Sequence, residues 1–227
     1  MRYLFILLCA ASMLPTHTSA QVTVGPALGL QFTRYYGTSM EDDVYRRPNI
    51  RAGAVTDVPL RRRLHLQTGA LFTTNGFLRA IPGMPDHIVS IHAIDIPLFL
   101  SWHMGMKHQS HFFISGGVFA DINVGGHATI TYTDLWGNVL ETQRPRLSYG
   151  KEYPNDARRM SYGLGLNAGY QLKSGFFVRA HYQRGLTNLN PAPIDDTYFL
   201  SSNNYGLTIG YLFKTSKGKE VKQQEKK

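Results

Sequence analysis

The chain has 227 residues, a formal net charge of +9 at pH 7 and a single cysteine, Cys9. The length suits one domain, and the lone cysteine excludes a disulfide framework and any metal site made of several thiolates. The basic charge does not indicate nucleic-acid binding, because no face combines aromatic with basic side chains and because six lysines lie together in the last 14 residues.

Residues 1–20 have the features of a secretory signal peptide. Arg2 provides the positive charge, residues 4–14 form an apolar run, and small residues precede Gln21. The run is too short to cross a bilayer as a helix, and no later segment has the roughly 20 apolar residues that a helical span needs. We therefore expect an exported chain that has lost Cys9 and that can enter a membrane only through β-strands.

Alternation of apolar and polar residues, interrupted by Gly, Pro, Asn and Asp, predicts strands along most of the remaining chain. The predicted strands are residues 22–35, 49–58, 63–74, 88–103, 111–124, 159–172, 175–186 and 203–213. The last segment, 214–227, has no apolar period, and we expect it to be a disordered, lysine-rich periplasmic tail.

The connectors between the predicted strands alternate in length. Residues 59–63, 104–110 and 173–175 are short, whereas residues 36–48, 75–87, 125–158 and 187–202 are long. Outer-membrane barrels have short periplasmic turns and longer external loops, so this order predicts that both chain ends are periplasmic. A soluble barrel of the lipocalin type can also have one open and one tight end, which leaves it as an alternative.

The two faces of the predicted strands differ in polarity. The apolar face contains Val24, Leu28, Leu30 and Phe32 in the first strand, Ile94, Ile96, Leu98, Leu100 and Trp102 in the fourth, and Leu207, Ile209, Tyr211 and Phe213 in the eighth. The opposite face contains Gln31, Arg51, Asp57, His65, Gln67, Asp95, Asp121, Asn123, Asn167, Arg179, His181 and Gln183. Such a polar face cannot form a hydrophobic core, and an apolar exterior on every strand is stable only in lipid.

The predicted fold is therefore all-β: an eight-stranded antiparallel up-and-down transmembrane β-barrel in the cell outer membrane, formed by residues 21–213. Aromatic girdles are predicted at Tyr35, Tyr162 and Tyr205 on the outer side, and at Trp102, Tyr170, Tyr211 and Phe213 on the inner side.

Four segments resemble the PorT-like outer-membrane β-barrel proteins of Bacteroidetes-type Gram-negative envelopes. They are IDIPLFLSW at 94–102, FFISGGVFADI at 112–122, HYQRGLTNLNP at 181–191 and YGLTIGYLF at 205–213. The chain departs from the family in having His181 where arginine is common and in continuing 14 residues beyond Phe213. The resemblance implies an outer-membrane barrel and, for some members, a part in protein secretion.

The predicted interior is a plug. An eight-stranded barrel is just wide enough for its own side chains to fill it, and buried charges need partners. We expect Arg51 and Arg179 to pair with Asp57, Asp95 and Asp121 inside the barrel. A proton or ion path along the same residues is the alternative.

The sequence predicts no catalytic, cofactor-binding or metal site. His108 and Ser110 have the spacing of a base and a nucleophile, and Ser90 and His92 share an outward face, so a lipid-A-modifying enzyme is a less favoured alternative. The acidic residues at 41–43 and 195–196 lack the ligand spacing of a calcium loop, and the nine histidines include no HxH pair or HExxH motif.

The longest external connector, residues 125–158, is the most distinctive segment. Residues 128–143 predict a hairpin that turns at residues 135–138 and extends two strands beyond the membrane. Trp136 and the neighbouring tyrosines would then be available to a ligand or partner, and a solvated protrusion is the alternative.

The function predicted from these features is non-enzymatic: an integral outer-membrane protein with a structural or interaction role at the cell surface, and not a diffusion pore. The alternative is an accessory of protein secretion or envelope assembly that acts through the periplasmic turns and the tail. The expected partners are membrane lipid and lipopolysaccharide, the barrel-insertion machinery, and envelope or secretion proteins. Neither a cofactor nor nucleic acid is expected.

Overall fold

A computed structural model describes residues 21–37, 44–79, 86–105, 109–134, 138–150, 156–191 and 200–214. The strands in these residues are β1 (Thr23–Gly37), β2 (Val44–Arg46), β3 (Pro48–Pro59), β4 (Leu64–Arg79), β5 (Asp86–Met104), β6 (His111–Thr133), β7 (Val139–Gln143), β8 (Met160–Gln171), β9 (Phe176–Gly185), β10 (Leu200–Tyr211) and β11 (Phe213–Lys214). The described residues contain no helix with the length and hydropathy that a membrane crossing requires. The predicted signal peptide and residues 215–227 of the predicted tail lie outside the described part, whereas Lys214 pairs with Thr23.

Eight long strands form a closed antiparallel ring. Each of β1, β3, β4, β5, β6, β8, β9 and β10 pairs with the next, and β10 pairs with β1 from Ala27–Gly210 to Gly37–Leu200. Closure pairs the backbone groups of strands that would otherwise be edges, which is the condition for crossing lipid with strands. The predicted eight-stranded barrel is therefore confirmed. The short connectors lie at one end of the ring, called the short-turn end, and the longer connectors lie at the long-loop end.

Five strands extend by two residues or more beyond their predicted bounds toward the long-loop end: β6 by nine residues, β4 by five, β10 by three, and β1 and β5 by two each. Residues Ile130–Thr133 of β6 pair with β7, which confirms the hairpin predicted in residues 128–143, although its tip at 135–137 lies outside the described residues. The predicted strands ended where the apolar alternation ended. Beyond the lipid, however, a strand needs only paired backbone groups and no apolar face.

Exposure alternates along the strands as predicted. In β9, exposed and buried residues take strict turns. Leu28 (55% exposed), Leu166 (64%) and Leu207 (60%) lie on the outer wall, whereas Gln31 (1%) and Asp95 (0%) lie inside. The barrel thus presents an apolar outer wall to the membrane.

One girdle assignment is wrong. Tyr35 is 5% exposed and points inward, where its ring meets the Phe77 ring edge-on with centroids 5.1 Å apart. The outward positions of β1 are the even-numbered ones, so the period of two directs Tyr35 into the barrel. Tyr162 and Trp102 are exposed on the outer wall, as predicted.

The inner face is less uniformly polar than predicted. Phe99, Phe113, Phe119 and Phe177 point inward and are at most 3% exposed. Glycines on neighbouring strands make room for several of these rings: a Cβ on Gly163 would lie only 2.6 Å from Cε1 of Phe119. Aromatic rings packed against glycines therefore fill part of the interior.

Candidate functional site

A charged network lies in the middle of the barrel interior. The Arg51 guanidinium forms an ion pair with the Asp95 carboxylate, and both side chains are at most 2% exposed. Arg51 Nη1 donates to Gln183 Oε1 (3.0 Å), and Gln183 Nε2 donates to Asp95 Oδ2 (3.1 Å). Because the three side chains come from the non-adjacent strands β3, β5 and β9, the network bridges the lumen.

The predicted plug is confirmed for this central pair and differs elsewhere. Asp57 contacts histidines instead of an arginine. Asp121 faces Asp95 across the β5–β6 pair, and neither Asp121 nor Arg179 has an ion-pair partner among the described residues. The Arg179 guanidinium lies over the Phe177 ring, 5.6 Å from its centroid, which is a cation–π contact.

A second polar layer lies nearer the long-loop end. Asn75 Oδ1 accepts hydrogen bonds from Gln31 Nε2 (2.7 Å) and Thr33 Oγ1 (3.2 Å). Asn49 Nδ2 donates to Thr33 Oγ1 at 3.4 Å. With the central network and the inward phenylalanine rings, this layer packs the lumen of a barrel that is narrow already.

A basic cavity of about 730 Å³ lies beside the long-loop end. Its basic lining residues are Arg144, Arg146, Arg159, His92 and His127, and no acidic side chain of the described residues lines it. We call it the arginine pocket. The three arginines are exposed, and none of them has an ion-pair partner in the described part of the chain.

The wall of the arginine pocket is a return segment, residues 144–149, held against the extension of β6. The backbone N–H of Ala128 donates to the Pro145 carbonyl (3.0 Å), and the N–H of Leu147 donates to the Gly126 carbonyl (3.1 Å). These bonds act as rungs of a sheet ladder. They fix the position of a segment that carries two of the three arginines.

Tyr149 closes the end of the same segment. Its hydroxyl donates to the Gly125 carbonyl at 2.8 Å. Burial, together with the nearby Asp156 carboxylate, raises the pKa of the Tyr149 hydroxyl to about 12. The hydroxyl therefore remains a neutral donor at physiological pH.

The arginine pocket adjoins the lipid-facing wall. The His92 ring stacks on the Phe72 ring with centroids 5.7 Å apart, and Phe72 is 45% exposed on the outer wall. His92 Nδ1 is buried and has no hydrogen-bond partner among the described residues. A buried polar atom without a partner is unfavourable unless a ligand or water supplies one.

A separate group of polar side chains lies at the short-turn end and contains Asp57, His65, His103 and His111. We call it the histidine cluster. Asp57 Oδ1 lies 2.5 Å from His65 Nδ1, and Asp57 Oδ2 lies 3.5 Å from His103 Nε2. His103 Nδ1 lies 2.9 Å from His111 Nε2. The rings of His65 and His103 stack with centroids 3.8 Å apart.

The structure separates the candidates proposed from the sequence. His108, Trp136 and the acidic residues at 41–43 and 195–196 lie outside the described residues. Ser110 Oγ accepts a hydrogen bond from the backbone N–H of Lys173 at 3.1 Å. His92 lines the arginine pocket, and Ser90 pairs in register with His127. The sequence pattern did not reveal either site. The members of the histidine cluster are separated along the chain and meet only through strand pairing. The arginines of the arginine pocket share a cavity only because residues 144–149 return along β6.

The comparisons with known proteins concern the barrel. The model of the outer membrane protein beta-barrel domain matches residues 16–190. Among solved structures the chain is similar to Ail of Yersinia pestis, in complex with the heparin analogue sucrose octasulfate, at 13% identity over 85% of this chain and 99% of that chain, with a TM-score of 0.42. It is also similar to Neisserial surface protein A, at 10% identity over 86% of this chain and 100% of that chain, with a TM-score of 0.45. A third similar structure is OprG of Pseudomonas aeruginosa, at 8% identity over 88% of this chain and 98% of that chain, with a TM-score of 0.47. No curated protein matches significantly.

The match to the domain model covers well over half of the chain and agrees with the closed ring and the apolar wall. It does not distinguish the narrower PorT-like group, which stays a prediction. The chain belongs to the family of outer membrane protein beta-barrel domains, and its place is the outer membrane.

Proposed function

We propose that the chain is a non-enzymatic protein with an interaction role at the cell surface, and that its arginine pocket binds the phosphate groups of outer-leaflet lipopolysaccharide. The observation that supports this proposal is the group of three exposed guanidinium groups, Arg144, Arg146 and Arg159, around one cavity without an acidic lining residue.

The chemistry of the pocket suits phosphate. A guanidinium group binds phosphate oxygens through two parallel N–H donors, and each hydrogen bond to a charged group contributes about 1.5–3 kcal/mol. Three arginines around one cavity repel each other in the absence of an anion, so an anionic group also relieves that repulsion. His92 Nδ1, buried without a partner among the described residues, offers a further polar contact at the same cavity.

The position of the pocket favours a lipid-anchored phosphate over a soluble one. Val124 lines the cavity and is 52% exposed on the outer wall, and His92 stacks on the outward Phe72 ring. The long-loop end is expected to be external, because outer-membrane barrels carry their longer loops outside. A phosphorylated sugar headgroup held in the outer leaflet by its acyl chains would therefore lie beside this cavity.

Binding to purified lipopolysaccharide tests the proposal. The variant Arg144→Gln/Arg146→Gln/Arg159→Gln should bind at least about tenfold more weakly, since losing about 1.4 kcal/mol is a factor of ten. The matched control is Arg61→Gln/Arg62→Gln/Arg63→Gln, which removes the same charge from exposed side chains at the short-turn end. The measurement is the dissociation constant of each refolded barrel in nanodiscs, at low and at physiological salt.

The outcomes separate site binding from general charge attraction. The proposal predicts that the control variant binds lipopolysaccharide like the native protein. The native protein and the control variant should both bind dephosphorylated lipopolysaccharide weakly. Equal weakening by the two triple variants would contradict the pocket, because only net charge would then matter. Tighter binding of a free sulfated or phosphorylated sugar than of lipopolysaccharide would contradict the lipid source of the phosphate.

The role as an accessory of secretion or envelope assembly stays a prediction. It depends on the periplasmic turns and on the lysine-rich tail, of which residues 215–227 lie outside the described part of the chain.

A further inference from the structure

The histidine cluster takes no part in the proposed surface function, because it lies at the opposite end of the barrel. Asp57 and His65 flank the turn between β3 and β4, and His103 and His111 flank the turn between β5 and β6. Since β4 pairs with β5, the two turns are neighbours in the ring. Four strand ends thus bring three imidazoles and one carboxylate together.

The hydrogen bonds determine where the protons of two rings lie. His111 Nδ1 is 2.9 Å from the Gln109 carbonyl oxygen, and only a protonated nitrogen can donate to a carbonyl. In a neutral ring His111 Nε2 then carries a lone pair, so the contact with His103 Nδ1 requires that His103 Nδ1 donate. His103 Nε2 is consequently left with a lone pair.

This lone pair faces a carboxylate in a buried site. His103 Nε2 lies 3.5 Å from Asp57 Oδ2 and has no hydrogen-bond partner among the described residues. Asp57 Oδ2 already accepts a hydrogen bond from Gln67 Nε2 at 3.2 Å. Two facing acceptors repel each other unless they share a positive ion, either a proton on His103 or a metal ion between them.

The geometry favours a metal ion over protons. One ligand atom from each of Asp57, His65 and His103 lies within 4.8 Å of the other two. A proton on His103 would satisfy only the contact between His103 and Asp57, whereas one metal ion also engages His65, whose ring centroid lies 3.8 Å from that of His103. A single divalent ion held by two neutral rings and one carboxylate satisfies all three groups.

The surrounding contacts resemble those of protein metal sites. Metal-binding histidines donate their second ring N–H to an acceptor that fixes the ring, and His103 does so to His111. Zinc bonds of about 2.0–2.2 Å put the ligand atoms of a tetrahedral site roughly 3.3–3.6 Å apart. His65 Nδ1 lies 2.5 Å from Asp57 Oδ1, and His103 Nε2 lies 3.5 Å from Asp57 Oδ2. The first distance reaches the range for zinc through a ring shift of about 1 Å, and the second already lies within it.

We propose that Asp57, His65 and His103 bind one divalent first-row transition metal ion, with Zn²⁺ as the best fit. Imidazole with carboxylate suits Zn²⁺, Cu²⁺ or Ni²⁺, whereas Mg²⁺ and Ca²⁺ prefer sites made of oxygen ligands. A cavity of about 150 Å³ adjoins the three side chains and leaves room for water as a fourth ligand. The ion joins the ends of β3, β4 and β5 and stabilises the short-turn end.

The test is metal binding by the refolded full-length barrel, prepared without a polyhistidine tag and treated with chelator. Titration with Zn²⁺ against a competing chromophoric chelator should show one tight site, while Mg²⁺ and Ca²⁺ should not compete. His65→Gln and His103→Gln should each lower the affinity at least about tenfold, and His111→Gln about 10–100-fold through loss of the supporting contact. His87→Gln, at the other end of the barrel and outside the arginine pocket, is the matched control and should bind Zn²⁺ like the native protein.

A second measurement does not depend on the variants folding. Co²⁺ bound to the native barrel should give the intense visible absorption of a tetrahedral site, and one equivalent of Zn²⁺ should abolish it. Zn²⁺ should also raise the temperature at which the native barrel loses its folded gel mobility, because the ion binds only the folded state. A native barrel that binds no Zn²⁺ stoichiometrically, or folded His65→Gln and His103→Gln variants that bind it unchanged, would overturn the proposal.

Discussion

Replacing Asp95 by leucine tests whether the interior is a packed network or a path for ions. In the native protein the Arg51 guanidinium pairs with Asp95 and donates to Gln183, and Gln183 donates to the same carboxylate. Leucine removes the counter-ion of Arg51 and the acceptor of Gln183 in one step. Arg51, at 2% exposure, is too deeply buried to recover its hydration.

The expected loss follows from these contacts. Removing one member of a buried ion pair costs about 3–5 kcal/mol. The loss for Asp95→Leu should lie near the lower end of this range because of Asp121. The Asp121 side chain faces Asp95 in register and interacts electrostatically with both Asp95 and Arg51. Leucine removes the repulsion between the two carboxylates and leaves Asp121 as a substitute partner. We therefore expect the free energy of unfolding to fall by about 3 kcal/mol, a factor of roughly 150 in the folding equilibrium.

The assay is urea unfolding of the refolded barrel in micelles, followed by heat-modifiable gel migration and tryptophan fluorescence. The control is the triple variant Arg51→Met/Asp95→Leu/Gln183→Met, which replaces the whole buried network and should recover most of the loss, because replacing buried charged groups together by apolar residues is close to neutral. Conductance in planar bilayers should stay at the native level, since the inward phenylalanine rings remain. An Asp95→Leu barrel of native stability that conducts ions would refute the packed interior.

Three further predictions follow from the structure. Gly163→Ala should lower the free energy of unfolding in urea by about 1–3 kcal/mol, because the added Cβ would lie 2.1 Å from a backbone oxygen of the next strand. Gly125→Ala is the control: its Cβ has open space around it, so the free energy of unfolding should change by no more than about 0.5 kcal/mol. The raised pKa of Tyr149 means that its contribution to stability is present below pH 10 and is lost as the pH rises toward 12; limited proteolysis should therefore show residues 144–149 loosening over that range, and a Tyr149→Phe variant should lack this pH dependence. An impermeant maleimide on intact cells should label Leu140→Cys, which is 69% exposed at the long-loop end, and should not label Arg62→Cys; the reverse pattern would contradict the expected orientation.

The fold could be predicted because it depends on a property that repeats along the chain. Every strand had to be apolar on one face and polar on the other, so eight strands and their closure followed from the period of two. The two errors have different causes. β6 continues to Thr133 through residues that lie outside the lipid, where the repeat gives no information. Tyr35 was assigned outward against the repeat, because the outward positions of β1 are the even-numbered ones.

The histidine cluster and the arginine pocket were not predicted from the sequence, because each depends on how separate segments of the chain pair in the fold. Asp57 and His103 are 46 positions apart in the chain and meet only because their strands end at neighbouring turns. A search for HxH spacing finds ligands on one strand and misses ligands on adjacent turns. The arginine pocket offered a partial signal, because Arg144, Arg146 and Arg159 lie in one connector, but their common cavity depends on how residues 144–149 return along β6.

The packed lumen should keep the arginine pocket and the histidine cluster independent of each other. His92 and His103 lie on the same strand, β5, and eleven residues of strand at about 3.3 Å each put their Cα atoms roughly 36 Å apart. The polar layers and aromatic rings between them form a rigid filling, with no described element that has two arrangements to transmit a change. Effects of distant substitutions then add. Combining His65→Gln with the triple arginine variant should therefore change the free energy of unfolding by the sum of the two separate changes. Zn²⁺ should leave the affinity of the native barrel for lipopolysaccharide unchanged. A Zn²⁺-dependent change in that affinity would show that the barrel couples its two ends and that its interior moves.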